Sequence, residues 1–283
     1  MKINLAKSAG FCFGVKRALS IAFETLKTAK NIEMLGDLVH NEDVVTMVKE
    51  AGIKKIHRLR NGKNKTLLIR AHGTCNTTLA NAKKMGYKII DATCPMVKEI
   101  HTIGCDMEKK GYKIIIIGDK KHDEVRGIIG QLKYKPIVIS KFKDLKSPAI
   151  RHLKKAAIIS QSTQELSKVL KMIHSLKHVI PELKFFNTIC QPTRSKQREI
   201  KKMPTKNDTM IIIGSKTSAN TKRLYSISKK LNKKSYWIQS EKDINPRWFY
   251  GTKSVGITAG ASTPNSTTQN VIAKIKKIEL KNI

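Results

Sequence analysis

Three cysteines of this chain share one setting. "AGFCFGVKRAL", "IIDATCPMVKEI" and "LKFFNTICQPTRSKQREI" each place a thiol (Cys12, Cys94 and Cys190) between a β-like run and the first turn of a helical pattern. A helix N-terminus carries partial positive charge and favours thiolate over thiol. In open α/β sheets, ligands gather beyond the carboxyl ends of the strands, where such residues point. A free cysteine is usually a small buried hydrophobe, but that reading leaves three matched placements unexplained. Three converging thiolates suit an iron–sulfur cluster. In a four-iron cubane they leave one iron without a protein ligand, a Lewis acid open to a substrate oxygen. Zinc is disfavoured by the absence of a CxxC knuckle. Cys75 and Cys105 lack the strand-end pattern and read as structural.

Three histidines repeat the placement. His40 in "MLGDLVHNEDVV", His72 in "LLIRAHGT" and His122 in "IIIIGDKKHDEV" each follow an apolar run and precede a helical pattern, whereas His57, His101, His152, His174 and His178 read as surface or helix-face residues. Glu124 lies two residues after His122. A carboxylic acid beside a cluster can deliver protons that the cluster cannot; the plainer alternative is a first-turn Glu favoured by the helix dipole. Two further stretches, "IIIGSKTSANTKRL" and "GITAGASTPNSTTQ", run from a buried strand through a hydroxyl- and amide-rich loop into a helix, the second with Pro264 at the first helical position. Such helix starts hold phosphate, although ordinary N-capping also uses these residues. Neither stretch has Walker spacing and no GxGxxG follows a strand, which argues against nucleotide binding.

The elements that must position these groups alternate along the whole chain. Apolar runs at 66–70, 87–90, 112–118, 135–140, 156–160, 209–214 and 254–258 read as parallel strands covered on both faces. Helical patterns at 76–85, 97–110, 165–177 and 220–231 lie between them, which makes the fold class α/β. The recurring strand–turn–Cys–helix pattern predicts three similar α/β units with mostly parallel sheets. Their expected limits are 14–94, 95–190, and 191–283 completed by the N-terminal strand 1–13. The loops 58–65 and 201–208 look exposed.

Composition narrows the function. The chain has 283 residues, 40% of them hydrophobic, enough for a sizeable core. No stretch approaches the roughly 18 apolar residues that cross a bilayer. The start "MKINLAKSAGFCFGVKRAL" has no signal-peptide apolar region and reads as a first strand, so a cytoplasmic protein with no membrane partner is expected. Five cysteines, an odd and widely spaced number, argue against a disulfide framework. Fifty-six Lys and Arg against twenty-one Asp and Glu give a net charge of +35. Nucleic acid is one explanation. Lysines line most helical patterns, however, and there is no discrete basic tail or RNP-like aromatic pattern. Compositional bias is the better explanation and no specific nucleic-acid partner is expected. The field still draws an anionic substrate or an acidic redox partner.

The ordered set "AGFCFGVKRAL", "LVHN", "AHGT", "DATCP", "GDKKHDEVRGIIGQ", "SQST", "TICQPT", "GSKTSANTKRL" and "GITAGASTP" resembles the LytB family, the 4-hydroxy-3-methylbut-2-enyl diphosphate reductases, over essentially the whole chain. The resemblance implies three α/β units arranged like a trefoil around one central [4Fe-4S] cluster. It implies that Cys12, Cys94 and Cys190 are the ligands and that one iron lacks a protein ligand. It places His40, His72, Ser218, Asn220 and Ser262 on the substrate diphosphate, with Ala219 in the same loop. His122 and Glu124 would face the allylic hydroxyl, Glu124 as proton donor, with Ser162 beside the substrate among the catalytic residues. The implied reaction is a two-electron, two-proton reductive dehydroxylation, the last step of the methylerythritol phosphate route to isopentenyl and dimethylallyl diphosphate. The implied electron donor is of ferredoxin or flavodoxin type. Three positions depart from the family pattern: Ala219 replaces a common Ser, Ser162 replaces Thr, and Asp123 replaces the usual Pro, a change expected to loosen the turn presenting Glu124 and to add negative charge. Two alternatives are another three-cysteine cluster enzyme of the quinolinate-synthase type and a basic RNA-binding protein.

Overall fold

The computed structural model describes residues 1–281. The chain opens with β1 (Lys2–Leu5) and α1 (Phe13–Thr28), then β2 (Ile32–Leu35), α2 (Glu42–Glu50), β3 (Lys54–Ile56), β4 (Thr66–Ile69), α3 (Asn76–Lys84) and β5 (Lys88–Asp91). Next come α4 (Pro95–Lys109), β6 (Lys113–Ile117), α5 (Asp123–Ile129), β7 (Ile137–Ile139), α6 (Pro148–Arg151), β8 (Lys155–Ser160), α7 (Leu166–Lys177) and β9 (Glu182–Phe185). The chain ends with α8 (Gln191–Ile200), β10 (Thr209–Ile213), α9 (Ala219–Leu231), β11 (Ser235–Ile238), β12 (Ser254–Ala259) and α10 (Asn265–Lys281).

Among the described residues the strands form three four-stranded sheets, ordered β3-β2-β4-β5, β7-β6-β8-β9 and β11-β10-β12-β1. Every pairing is parallel. The three orders are one topology. A first strand is flanked by a second on one side and by a third and then a fourth on the other. In the last sheet the fourth strand is β1, supplied from the start of the chain and paired with β12 from Lys2↔Ser254 to Leu5↔Ile257.

The continuous apolar runs follow from two-sided burial. Successive strand residues point to opposite faces. Ile115 and Ile117 of β6 accordingly pack with Ile158 and Ile173, while Ile114 and Ile116 pack with Ile100 and Ile128 on the other face. β10 does the same: Ile211 and Ile213 join Val271 and Ile275, and Met210 and Ile212 join Leu224 and Ile227. Each fully buried Ile contributes about 1.5–3 kcal/mol of transfer free energy.

The chain divides into two compact units. The first comprises Met1–Lys16, Val39–Met47 and the chain from Gln191 onward, with the β11-β10-β12-β1 sheet. The second comprises Arg17–Leu38 and Val48–Cys190, with the other two sheets. No helix among the described residues is long and apolar enough to cross a membrane. The loop 201–208 is largely exposed, as expected, but pinned at two points. It holds a 3₁₀ turn, Met203–Thr205, and buries Pro204 and Asn207. Asn207 there bonds Asn4 and the Met203 carbonyl.

Candidate functional site

The three cysteines meet their sheets in one way. Each follows the fourth strand of a sheet and immediately precedes a helix, and each donates its backbone N–H to the loop beyond the neighbouring third strand. Cys12 donates to the Ala261 carbonyl, Cys94 to Ala71 and Cys190 to Ser162, each at 3.0 Å. The acceptor loops are those of Ser262, His72 and Ser162. The parallel pairs β1–β12, β5–β4 and β9–β8 bring these distant segments together. All five cysteines of the chain are half-buried, so it is this placement after a fourth strand, not exposure, that sets Cys12, Cys94 and Cys190 apart. Cys94 is the N-cap of α4, with Pro95 behind it.

The second unit assembles His72, His122, Glu124 and Ser162. Glu124 sits in the first turn of α5 and is 1% exposed. Its carboxylate accepts the Ser162 N–H at 2.6 Å and the Ser162 hydroxyl at 2.7 Å. Charge-assisted bonds of this length hold a carboxylate firmly. His122 caps α5, its Nδ1 accepting the Glu124 N–H at 3.1 Å, which in the neutral ring leaves the proton on Nε2. The His72 and His122 rings meet edge to face with centroids 5.5 Å apart. Asp123 is the first residue of α5, and its carboxylate pairs with Arg70 Nη1 at 2.8 Å, which offsets the added charge.

In the first unit, β10 and β12 deliver the hydroxyl- and amide-rich loops side by side. Ser218 caps α9, accepting the Thr221 N–H at 3.3 Å. Asn220, 4% exposed, has a buried Nδ2 with no hydrogen-bond partner among the described residues. An idle amide donor at a helix start is the provision an anion requires. Ala219 is buried beside it. The Ser262 hydroxyl donates to the His40 carbonyl at 2.9 Å. Two more hydroxyls fasten the His40 segment: Ser215 donates to Glu42 at 2.8 Å and Thr267 to Asp43 at 2.7 Å. The same unit carries Cys12.

Two residues differ from their sequence assignment. Cys75 is the N-cap of α3, so it does occupy a strand-to-helix loop. Its Sγ lies 3.2 and 2.9 Å from the hydroxyls of Thr77 and Thr78. Those hydroxyls overcome burial and hold its thiol below the usual cysteine range. Cys105 lies within α4, where burial pushes its thiol up. His101, expected on a helix face, is wedged under the His72 turn. A methyl group on Gly73 (φ +73°) would stand 3.0 Å from its Cε1, and one on Gly127 would stand 3.8 Å from its Nε2. Burial, only partly opposed by Asp91, lowers its pKa to about 4, and the buried Nε2 has no partner among the described residues. The sequence signal was its spacing: seven residues after Cys94, His101 lies two turns along the same face of α4.

Strand-end cysteines on matched parallel sheets, together with a buried acid gripped by a serine, belong to an α/β fold of the enzyme kind. Residues 3–276 match the model of the LytB protein family. The chain is 39% identical over 280 residues to the 4-hydroxy-3-methylbut-2-enyl diphosphate reductase of Aquifex aeolicus (strain VF5), covering 98% of this chain and 96% of that one. It is 40% identical to the reductase of the same name from Campylobacter fetus subsp. fetus, covering 98% of each. A solved structure of (E)-4-hydroxy-3-methyl-but-2-enyl diphosphate reductase, described as the terminal enzyme of the non-mevalonate pathway, superposes with TM-score 0.72 at 38% identity, covering 98% of this chain and 100% of that one. The Plasmodium falciparum reductase superposes with TM-score 0.89 at 28% identity, covering 96% and 87%. The chain belongs to the LytB family.

Proposed function

We infer that the chain performs the reaction its relatives are named for: reduction of 4-hydroxy-3-methylbut-2-enyl diphosphate, with loss of the allylic hydroxyl as water, to isopentenyl and dimethylallyl diphosphate. The observation that carries the reading is the repeated cysteine: three thiols, each fixed by an amide-to-carbonyl bond to a neighbouring loop. Reductases of the LytB family are iron–sulfur enzymes, and this donor set fits such a group. Thiolates are its natural ligands, and each of the three residues stands directly before a helix start.

Cys12, Cys94 and Cys190 would hold a single [4Fe-4S] cluster with one iron free of protein ligands. When bound, it supplies the electrons and a Lewis-acidic iron. The remaining work falls to side chains of this chain. His40, His72, Ser218, Asn220 and Ser262 hold the diphosphate, supported by the idle Asn220 amide and by the helix start that Ser218 caps. That anchor fixes the position of the allylic hydroxyl and supplies proximity. His122 and Ser162 orient the hydroxyl, and Glu124 gives it the proton with which it leaves as water. The Ser162 hydroxyl can turn to accept from Glu124 when the acid is protonated, so it steadies both protonation states. An external one-electron donor of ferredoxin or flavodoxin type reloads the cluster. The proposed setting is the cytoplasm, and the proposed structural repeat is 14–94, 95–190, and 191–283 with 1–13, in support of which each span holds one four-stranded sheet. Residues 282–283 of that division lie outside the described residues.

The experiment is anaerobic purification with iron and sulfide analysis, followed by turnover with a chemical reductant. Single Cys→Ser changes at positions 12, 94 and 190 should each remove iron, and the same change at 75 or 105 should not. Full cluster content in Cys94→Ser would sink the assignment.

A further inference from the structure

In the first unit, α8 carries a buried lysine with no part in the site described above. Lys196 is 2% exposed. Its ammonium donates to the carbonyls of Gly10 and Ala259 at 3.0 Å each and also to that of Ser8. One helical turn later, Glu199 accepts from the same segment, taking the N–H groups of Lys7 and Ser8 at 2.9 Å each and the Ser8 hydroxyl. The turn Lys7–Gly10 is therefore held by its carbonyls through Lys196 and by its amides through Glu199. Cys12 follows it by two residues. The third carbonyl held by Lys196 ends β12, three residues before Ser262. Between these two points lies the Cys12 N–H to Ala261 carbonyl bond. The helix itself begins at the residue after Cys190.

We propose that Lys196, with Glu199, is a positioning residue that fixes the Cys12 loop and the Ser262 loop in one mutual geometry. A buried ammonium is a costly way to fill a core, where a methionine of similar length packs without desolvation. What it adds is specification. Three carbonyls from two loops converge on one point charge, and no apolar side chain can direct them so. The inference rests on the cluster-enzyme reading for the role of Cys12, but its geometry does not.

The test compares Lys196→Met, Lys196→Arg and Glu199→Gln with the unaltered full chain, using two readouts besides activity. The first is iron content and the cluster EPR signal after anaerobic purification. The second, on cluster-free chain, is the rate of Cys12 alkylation followed by mass spectrometry, with Cys75 as internal control. Lys196→Met should lose iron and change Cys12 labelling at least about tenfold while Cys75 labelling stays within about twofold, because only the Cys12 segment is released to open locally. Lys196→Arg should restore both. If Lys196→Met labels Cys12 at the wild-type rate and keeps its iron, the lysine only supports the fold and the proposal fails. If Lys196→Met does not fold, Glu199→Gln decides by the same two criteria. An unaltered chain that binds no iron overturns the cluster reading instead, and Cys12 labelling still decides the clamp.

Discussion

Ser162 grips Glu124 through both its amide and its hydroxyl, which separates the acid's placement from its proton. Glu124→Gln keeps the size of the side chain and removes the proton that we propose leaves with the hydroxyl. General acid catalysis is typically worth about 10²–10⁴-fold, so kcat should fall by that factor, while iron content and the KM for the diphosphate barely change. Turnover of Glu124→Gln within about threefold of wild type would reduce this carboxylate to a helix-dipole residue. Ser162→Ala removes one of the two bonds. A hydrogen bond to a charged group contributes about 1.5–3 kcal/mol, so kcat should fall roughly 10- to 100-fold. Ser162→Thr, which restores the family residue, should retain wild-type kcat. A Ser162→Ala enzyme with unchanged kcat would show that the amide alone holds the acid.

At the scale of elements, the strand ends set the tolerances. Gly260 follows β12 and faces α9, and a methyl group there would lie 2.2 Å from Thr221 Oγ1. Gly260→Ala must push α9 away from the Ser262 loop. Overpacking of this kind costs about 1–3 kcal/mol, and KM should rise more than kcat falls. Thermal unfolding and steady-state kinetics check both parts. α4 gives a pH prediction. His101 has a folded pKa of about 4, below its ordinary 6.5, so the folded chain resists a proton that the unfolded chain accepts. The stability that neutral His101 contributes is complete above pH 6.5, declines as pH falls below that value and is exhausted near pH 4. Between pH 6.5 and 5 the loss is about 2 kcal/mol. His101→Phe keeps a ring and cannot titrate, so its unfolding temperature should be flatter over that interval. Parallel slopes for the two proteins would show that His101 does not cause the decline.

At the scale of the whole molecule, the net charge of +35 raises the local concentration of anions. Association with the diphosphate should slow as salt increases. RNA should bind only weakly and with steep salt dependence, because the lysines are spread over many elements. Tight, sequence-selective RNA binding at physiological salt would overturn that view and revive the nucleic-acid alternative.

The α/β class, the parallel strands and the three strand-end thiols were legible in the sequence, because apolar runs, helix starts and residue types are local. The runs of β4, β6, β8, β10 and β12 stand out since two-sided burial makes most of their residues apolar. β3 and β11 did not stand out: they are short edge strands, and two of the three residues of β3 are exposed. What only the tertiary structure decided is non-local. That β1 pairs with β12 joins opposite ends of the chain. Glu124 meets Ser162 across 38 residues and Lys196 reaches Ser8 across 188. Burial under the turn at Gly73 lowers the pKa of His101, and Cys75 proves to cap a helix as Cys94 does. No propensity or spacing encodes such pairs: their free energy appears only when the sheets align segments that are remote in sequence.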